Sequence, residues 1–298
     1  MDFFVQLFTD PASFYSGHEL LIAQMGVNSL LAISIFVTLY AGQLTLAQVG
    51  FMAIGAYTSV ILNIDARLPL AVGAVAGSLL AAVAALIIGL PVLRLRGIFL
   101  AIATLGFGEA FRFGVLLNLP ITGEGQGLTN TGADIEGGIV PVWISVVILT
   151  YLIFCLTRSR TGRAWAAMRE DEAAAASQGI NVVAMKMAAF LLGALIAGYA
   201  GALDAHLSFF VDPTEYATPR AVGVLIFAVV GGTGFVLGPV VGAIFLTALP
   251  EILRFAADYR DAVNGLILLL IIIFRPQGLV SRGGLAIIRP RWWPLARS

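Results

Sequence analysis

An all-α, polytopic integral membrane protein is the fold class that the sequence predicts, and three observations predict it. Hydrophobic residues make up 59% of the 298 residues, whereas charged residues make up only 11%. The apolar residues lie in runs of about 20, which is the length of a helix that crosses a bilayer. Arginine is concentrated in a few connecting loops, as is typical of loops on the cytoplasmic side. We therefore expect a single transmembrane domain over residues 1–298.

Hydropathy windows of about 19 residues predict roughly eight to ten transmembrane helices. Two of the apolar regions, 42–62 and 221–257, are dense in glycine, which weakens a helix relative to alanine. Broken or re-entrant helices are therefore expected in these two regions. The predicted segments lie near residues 20–40, 42–62, 68–92, 97–118, 139–157, 187–206, 221–238, 239–257 and 262–274.

The distribution of charge predicts the orientation of the chain. Basic residues occur at 94–96, in the long loop 158–186 and in the tail 275–298, so these regions are expected in the cytoplasm. The loops 119–138 and 207–219 carry acidic residues and no basic ones, so both are expected outside. The predicted spans alternate with this assignment, which places the N-terminus outside and the C-terminus in the cytoplasm.

The loop 158–186 contains an unusual run of charge, with four consecutive charged residues that lead into an alanine tract. Its middle is rich in strong helix formers, so a short helix is expected over about 163–178, with Trp165 and Met168 on one apolar face. A solvated connector helix is one interpretation, since charge runs are usually solvated faces. A surface that docks a protein is the other, because anionic lipid would repel the acidic residues.

Five ordered motifs resemble the LivM-type permeases, which are membrane subunits of branched-chain amino acid ABC importers. They are SRTGRAWAAMREDEAAAASQGINVVAMKMAAF, AGQLTLAQVGFMAIGAYTSVIL, LRLRGIFLAIATLGFGEAFR, VVGGTGFVLGPVVGAIF and FRPQGLV, and they cover most of residues 25–282. The resemblance implies that the loop 158–186 is a cytoplasmic coupling loop, which inserts a short helix into a groove of an ATPase subunit. The spacing from Glu172-Ala173-Ala174 to Gly179 is four residues, one more than in the general importer pattern. The coupling residues implied are Arg163, Arg169, Glu170, Asp171, Glu172 and Gly179.

The resemblance also implies the partners, the cargo and the location. The partners would be a second permease of the same family, two cytoplasmic ATP-binding cassette subunits, an extracytoplasmic substrate-binding protein and membrane lipid. The cargo would be leucine, isoleucine and valine, and the location a bacterial plasma (inner) membrane with the C-terminus in the cytoplasm. The chain has no G-x-x-x-x-G-K-[ST] motif, so the ATPase would have to be a separate subunit.

Composition bears on the remaining classes of function. The formal net charge is zero, which argues against nucleic acid as a partner. The single cysteine and two distant histidines offer no metal cluster and no set of catalytic groups, so we expect neither a cofactor nor enzymatic activity.

Two glycine-rich segments and one intramembrane acid are candidates for the translocation path. Uncharged amides and hydroxyls would give a zwitterionic solute weak polar contacts, which favour its release. Close packing of helices through small residues is the alternative. Glu109 lies three residues before Arg112, and mutual pairing of the two is the simplest interpretation. The candidate path residues are Gly42, Gln43, Thr45, Gln48, Gly50, Glu109, Gly231, Gly232, Thr233 and Gly234.

Two rival functions stay open at this point. LivM-like subunits also serve permeases for urea, short amides and other small organic solutes. A secondary transporter driven by an ion gradient is the rival of a different class. It would require a buried carboxylate without a partner, and Glu109 beside Arg112 does not fit that requirement.

Overall fold

The structure is a computed structural model that describes residues 18–123, 125–129, 139–252, 265, 269 and 278–280. Apart from one pair of two-residue strands and two short 3₁₀ turns, the regular structure of these residues is helical. The helices are α1 (Glu19–Tyr40), α2 (Gln48–Ala66), α3 (Leu70–Val92), α4 (Ile98–Phe111), α5 (Val140–Arg158), α6 (Arg160–Glu170), α7 (Glu172–Ser177), α8 (Val182–Leu207), α9 (Thr218–Gly231) and α10 (Leu237–Ile252).

In the part of the chain that the structure describes, six helices are long and apolar enough to cross a membrane: α1, α2, α3, α5, α8 and α4, which is extended by a π-helical turn over Arg112–Leu116. The helices α9 and α10 are shorter apolar helices. The predicted all-α polytopic fold is therefore confirmed. The predicted segment near 262–274, most of the tail 275–298 and part of the outer loop 119–138 lie outside the described residues.

Each of the two glycine-rich regions contains one short interruption between two helices. In the first region the chain leaves α1 after Tyr40, and α2 begins at Gln48 and is continuous through Gly50 and Gly55. The break is thus confined to 41–47, whereas we expected it anywhere within 42–62. The second break lies at 232–236, between α9 and α10.

The core of the bundle is built on α8, which packs against α1, α2 and α3. Glycines bring these backbones together, because an added Cβ at Gly55 would lie 2.0 Å from the carbonyl oxygen of Gly198. An added Cβ at Gly201 would lie equally close to the carbonyl oxygen of Met52. Helices in lipid gain association energy from such close approach, since apolar burial alone does not favour one helix neighbour over lipid.

The acidic loops and the basic loops lie at opposite ends of the bundle. The strands β1 (Leu128–Thr129) and β2 (Phe210–Val211) pair antiparallel and so join the two acidic loops. At the other end, Arg96 contacts Glu172 of the predicted coupling loop. This arrangement agrees with the predicted alternation of spans, while the side that faces the cytoplasm stays a prediction.

Candidate functional site

The predicted coupling loop, residues 158–186, contains two short helices, whereas we predicted a single helix over 163–178. Helix α6 begins after Ser159, whose Oγ accepts a hydrogen bond from the amide of Gly162 at 3.3 Å. Asp171 has an extended backbone and ends α6, and it also caps α7. Its Oδ1 accepts hydrogen bonds from the amides of Ala173 (2.7 Å) and Ala174 (3.1 Å). The single-helix prediction failed because an aspartate that can cap a helix ends the preceding one.

One face of the coupling loop is fixed to the bundle. Trp165 and Met168 are each 2% exposed, so the predicted shared apolar face is confirmed. The indole Nε1 of Trp165 donates a hydrogen bond to the carbonyl oxygen of Met185, at 3.0 Å. Met185 belongs to the first turn of α8, so the loop packs against the helix that forms the core of the bundle.

The opposite face of the coupling loop is exposed and charged. Five of the six predicted coupling residues lie on it: Arg163, Arg169, Glu170, Asp171 and Gly179. Among them, Gly179 has a φ of +81° and terminates the loop's second helix. Amides at the end of that helix donate to the carbonyl oxygens of its last turn, in the pattern of a Schellman motif. The five residues can therefore reach a partner protein, although their contacts with an ATPase subunit stay a prediction.

Glu172 differs from the other five because its carboxylate is turned toward the bundle. It forms an ion pair with the Nζ of Lys186 and a longer one, 3.5 Å, with the Nε of Arg96. Its side chain is 24% exposed and that of Lys186 is 7% exposed. The structure thus places Glu172 where it anchors the coupling loop to α8.

The first break is held by polar side chains within the bundle. Gln43, Thr45 and Gln48 are all buried. The Nε2 of Gln43 donates to the carbonyl oxygen of Lys186 at 2.8 Å, and the Oγ1 of Thr45 donates to the Oε1 of Gln48 at 2.9 Å. The Oγ1 of Thr104 on α4 accepts a hydrogen bond from the amide of Leu46 at 2.9 Å. These contacts favour the packing interpretation in the present state, and contact with a passing solute stays a prediction.

Two glycines in the region 42–62, Gly42 and Gly50, lie close to neighbouring segments of the chain. Gly42 has a φ of +80° and terminates α1, in the same way as Gly179 terminates α7. A Cβ added at Gly42 would lie 3.1 Å from the Cα of Arg169, so the break touches the coupling loop directly. A Cβ at Gly50 would lie 3.0 Å from the ring of Phe107, which brings α2 against α4.

Glu109 is fully paired, as its position beside Arg112 predicts. Its Oε2 accepts a hydrogen bond from the Nε of Arg112 at 2.9 Å and forms an ion pair with the Nη2 of the same guanidinium at 2.8 Å. Its Oε1 accepts from the amide of Thr218 at 2.8 Å and from the hydroxyl of the same residue. The carboxylate therefore also caps the N-terminus of α9, where a helix favours negative charge.

A narrow cleft adjoins Glu109 at the meeting point of α2, α4 and α9. Gly50, Glu109 and Thr218 are among the residues that line it. Its cavity volume is about 10 Å³, which is room for about one water molecule. In this conformation the cleft is therefore too narrow for an amino acid.

The second break is closed mainly by backbone contacts. The amides of Leu279 and Val280 donate to the carbonyl oxygens of Val230 (2.8 Å) and Gly231 (3.0 Å) at the end of α9. Gly231 and Gly232 are buried, whereas Thr233 and Gly234 are partly exposed. These four residues lie far along the chain from the first break, and their contact with a solute stays a prediction.

Both breaks lie at the end of the bundle that carries the coupling loop. The ring of Phe235 in the second break packs edge-on against Phe154, with the centroids 6.0 Å apart. Phe154 lies one turn before Arg158, the last residue of α5, and the guanidinium of Arg158 lies 4.2 Å from the centroid of the Phe154 ring. The coupling loop thus follows directly from an element that contacts the second break, and it contacts the first break itself.

Sequence reasoning missed three polar residues of this arrangement: Thr104, Lys186 and Thr218. Lys186 offered a signal, because it is the only lysine of the chain and it begins an apolar run. The two threonines offered none, since a threonine in an apolar helix usually bonds to its own preceding turn. Among the described residues, no group of three His, Cys, Asp or Glu could hold a metal ion.

The sequence matches a family model described as "Branched-chain amino acid transport system / permease component" over residues 19–274. The high-affinity branched-chain amino acid transport system permease protein LivM of Escherichia coli K12 is 34% identical in an alignment of 292 positions that covers 87% of this chain and 67% of LivM. LivM of Salmonella typhimurium LT2 is 34% identical in an alignment of 298 positions with the same coverage. The autoinducer 2 import system permease protein LsrC of E. coli K12 / DH10B is 27% identical over 215 residues, 65% of this chain and 62% of LsrC. No solved structure matches the chain.

Proposed function

We propose that the chain is the membrane-spanning permease subunit of an ATP-driven importer of branched-chain amino acids, because it belongs to the family of branched-chain amino acid transport permeases. The match to the family model over residues 19–274 is the observation that supports this most strongly. The curated relatives are transport permeases and not enzymes. The six long apolar helices agree with a multi-pass protein of the bacterial inner membrane.

The assembly that we propose contains a second permease of the same family, two cytoplasmic ATP-binding cassette subunits and an extracytoplasmic substrate-binding protein. The exposed charged face of the coupling loop supports the ATPase contact, because its opposite face is fixed to the bundle through Trp165 and Met168. ATP binding would close the ATPase subunits and displace the coupling loop. The path would then convert from inward-facing to outward-facing and accept a solute from the binding protein.

We place the path of this subunit beside the cleft between α2, α4 and α9. Gly50 and Glu109 line that cleft, and it has to widen before a solute can pass. The buried amides and hydroxyls of Gln43, Thr45 and Gln48 lie at the coupling-loop end of the same helix α2 and would be exposed by such a movement. A path formed by weak polar contacts suits a transporter that receives its cargo from a separate binding protein.

The experiment that tests the assembly is affinity purification of the tagged chain in mild detergent, followed by mass spectrometry. The structure sharpens the choice of variant: Arg169→Ala, Glu170→Ala and Asp171→Asn together remove charge from the exposed face, and asparagine keeps the cap of α7. Glu19→Gln with Asp65→Asn is the matched control, since both residues are exposed at the other end of the bundle. We expect ATPase subunits and a second permease with the wild type and the control, and loss of the ATPases with the triple variant. A wild-type chain that purifies alone, under conditions that preserve known membrane complexes, would overturn the proposal.

The cargo is tested by uptake of leucine into proteoliposomes that contain the purified complex and its binding protein. We expect uptake to require ATP, to be inhibited by isoleucine and valine, and to be insensitive to an ionophore. Autoinducer 2 serves as one competing solute, because the relative LsrC is named for its import, and urea serves as the other, because it is the rival cargo given above. Competition by either of these solutes, without competition by valine, would reassign the cargo. Uptake that follows an ion gradient without ATP would favour a secondary transporter.

A further inference from the structure

Lys186 joins two elements that are distant in the sequence. It lies in the first turns of α8, and its ammonium group pairs with the carboxylate of Glu172 in the coupling loop. Its backbone carbonyl oxygen accepts the hydrogen bond from Nε2 of Gln43, in the break between α1 and α2. One residue of the core helix is therefore bonded both to the segment that faces the ATPase and to the first break.

Lys186 needs the ion pair with Glu172 because its side chain is buried. The side chain of Lys186 is only 7% exposed, and a buried ammonium group without a partner is strongly unfavourable. The second cation near Glu172, Arg96, is 79% exposed, so solvent weakens its contribution. Lys186 is consequently the principal partner of Glu172.

Other contacts make the coupling loop, the start of α8 and the first break one packed unit. Trp165 is hydrogen-bonded to the carbonyl of Met185, the residue before Lys186. The backbone of Arg169, whose side chain is exposed, packs against Gly42 so closely that a Cβ at Gly42 would lie 3.1 Å from the Cα of Arg169. Interiors packed in this way transmit displacement because they have no free volume to absorb it.

We propose that Lys186 is a positioning residue through which movement of the coupling loop reaches the break at 41–47 and helix α8. This inference rests on the proposed function, since the movement originates in the ATPase subunits. Its ion pair with Glu172 ties the loop to α8, and its carbonyl ties α8 to Gln43. When the pair is removed, the ATPases still dock on the exposed charged face, but their movement no longer drives transport in proportion to ATP hydrolysed.

The test uses the whole complex in proteoliposomes and measures leucine transported per ATP hydrolysed, together with the amount of ATPase that co-purifies. We expect Lys186→Met and Glu172→Gln each to lower the transport-to-hydrolysis ratio about tenfold, within the range of known coupling effects. Lys186→Arg should retain most of the ratio because it keeps the charge. The exchange Glu172→Lys with Lys186→Glu should restore the ratio to within about threefold of the wild type.

A ratio unchanged in both single variants, with the complex intact, would overturn the inference while leaving the proposed function in place. Loss of the ATPases from the wild-type chain would instead count against the proposed function. Where a single variant does not fold, the double variant Glu172→Gln with Lys186→Met removes both charges and leaves no unpaired one. A reduced ratio in that variant supports the inference, and a wild-type ratio contradicts it.

Discussion

The break at 41–47 and the break at 232–236 differ in the groups that hydrogen-bond to the backbone at the helix ends. A helix that ends near lipid leaves backbone amides and carbonyls without partners, and each is costly where water is absent. At 41–47 polar side chains take part, since Gln43 and Thr104 bond to the backbone of distant segments. At 232–236 the freed carbonyls of α9 are bonded by the amides of Leu279 and Val280, and glycines allow the close approach.

The difference between the breaks shows how each one can move. A hydrogen bond from a side chain can be broken and remade through a rotamer change, so the first break has a route to a second conformation. A junction of backbone against backbone through glycine has no side chain to rearrange. We therefore expect the first break to change during transport and the second to act as a rigid junction, and three predictions test this contrast.

The largest effect is expected from Gly231→Ala. A Cβ at this position would lie 2.0 Å from the carbonyl oxygen of Gly238, and backbone cannot move aside cheaply. We expect a loss of about 3 kcal/mol in stability, measured as thermal unfolding of the purified chain in detergent. Gly223→Ala is the matched control on the same helix, since a Cβ there meets nothing within 4 Å.

The control should be neutral or stabilise the chain by up to about 1 kcal/mol, because alanine favours a helix over glycine. Equal melting temperatures for the two variants would show that the second break is not the rigid junction described above.

An intermediate effect is expected from Thr104→Val. Valine has nearly the shape of the buried Thr104, but it leaves the partly buried amide of Leu46 without its acceptor at the first break. We expect a loss of about 2 kcal/mol, within the range for a backbone donor left unsatisfied where little water reaches it. Thr104→Ser keeps the hydroxyl and should lose less than about 1 kcal/mol. If serine and valine destabilise the chain equally, the hydrogen bond does not support the break.

The smallest effect is expected from pH, and it should arise away from both breaks. Residues 41–47 and 232–236 include no titratable side chain. At the other end of the bundle, burial and the neighbouring Asp204 raise the pKa of Glu215 above its ordinary value of 4.5, although Arg220 opposes this shift. Glu215 precedes α9 in a 3₁₀ turn, Pro213–Tyr216.

The sign of the pH effect follows from the raised pKa. The folded chain binds the proton of Glu215 more tightly than the unfolded chain does, so this contribution to stability is complete below the unfolded-state pKa. It is lost as pH rises through the folded-state pKa. Glu215→Gln should therefore flatten the decline of the melting temperature with rising pH, and Gly223→Ala should leave its slope unchanged. A slope that Glu215→Gln does not alter would assign the pH dependence to other groups.

Much of the helical fold could be predicted from local pattern. The predicted segment 68–92 corresponds to the helix Leu70–Val92, and the segment 139–157 corresponds to the helix Val140–Arg158. The agreement is close because an apolar run of this length satisfies its backbone hydrogen bonds in lipid by forming a helix. The shared apolar face of Trp165 and Met168 was also predictable from helical spacing. The single helix predicted over 163–178 was wrong because the capping role of Asp171 depends on backbone geometry that its residue type only permits.

The candidate site was less predictable, because its residues meet through tertiary contacts. Nothing in the local sequence distinguishes Glu172 from Glu170, yet one faces Lys186 and the other is exposed. The sequence predicts that Gln43 lines the translocation path. In this structure its side-chain amide donates a hydrogen bond to the carbonyl oxygen of Lys186, which is 143 positions away. Partners at that separation are chosen by the packing of the helices, which the local pattern does not encode.

The sequence by itself determined the class of this protein, since apolar runs separated by charged loops dictate a helical membrane protein and five ordered motifs indicate its family. It also indicated the two glycine-rich regions in which the helices are broken, although α2 continues through Gly50 and Gly55. The tertiary structure alone decided which face of the coupling loop is anchored, how each break is closed and which charges are paired. The physical reason is that a buried polar group must find a partner, and the packed bundle settles which groups are near enough to serve.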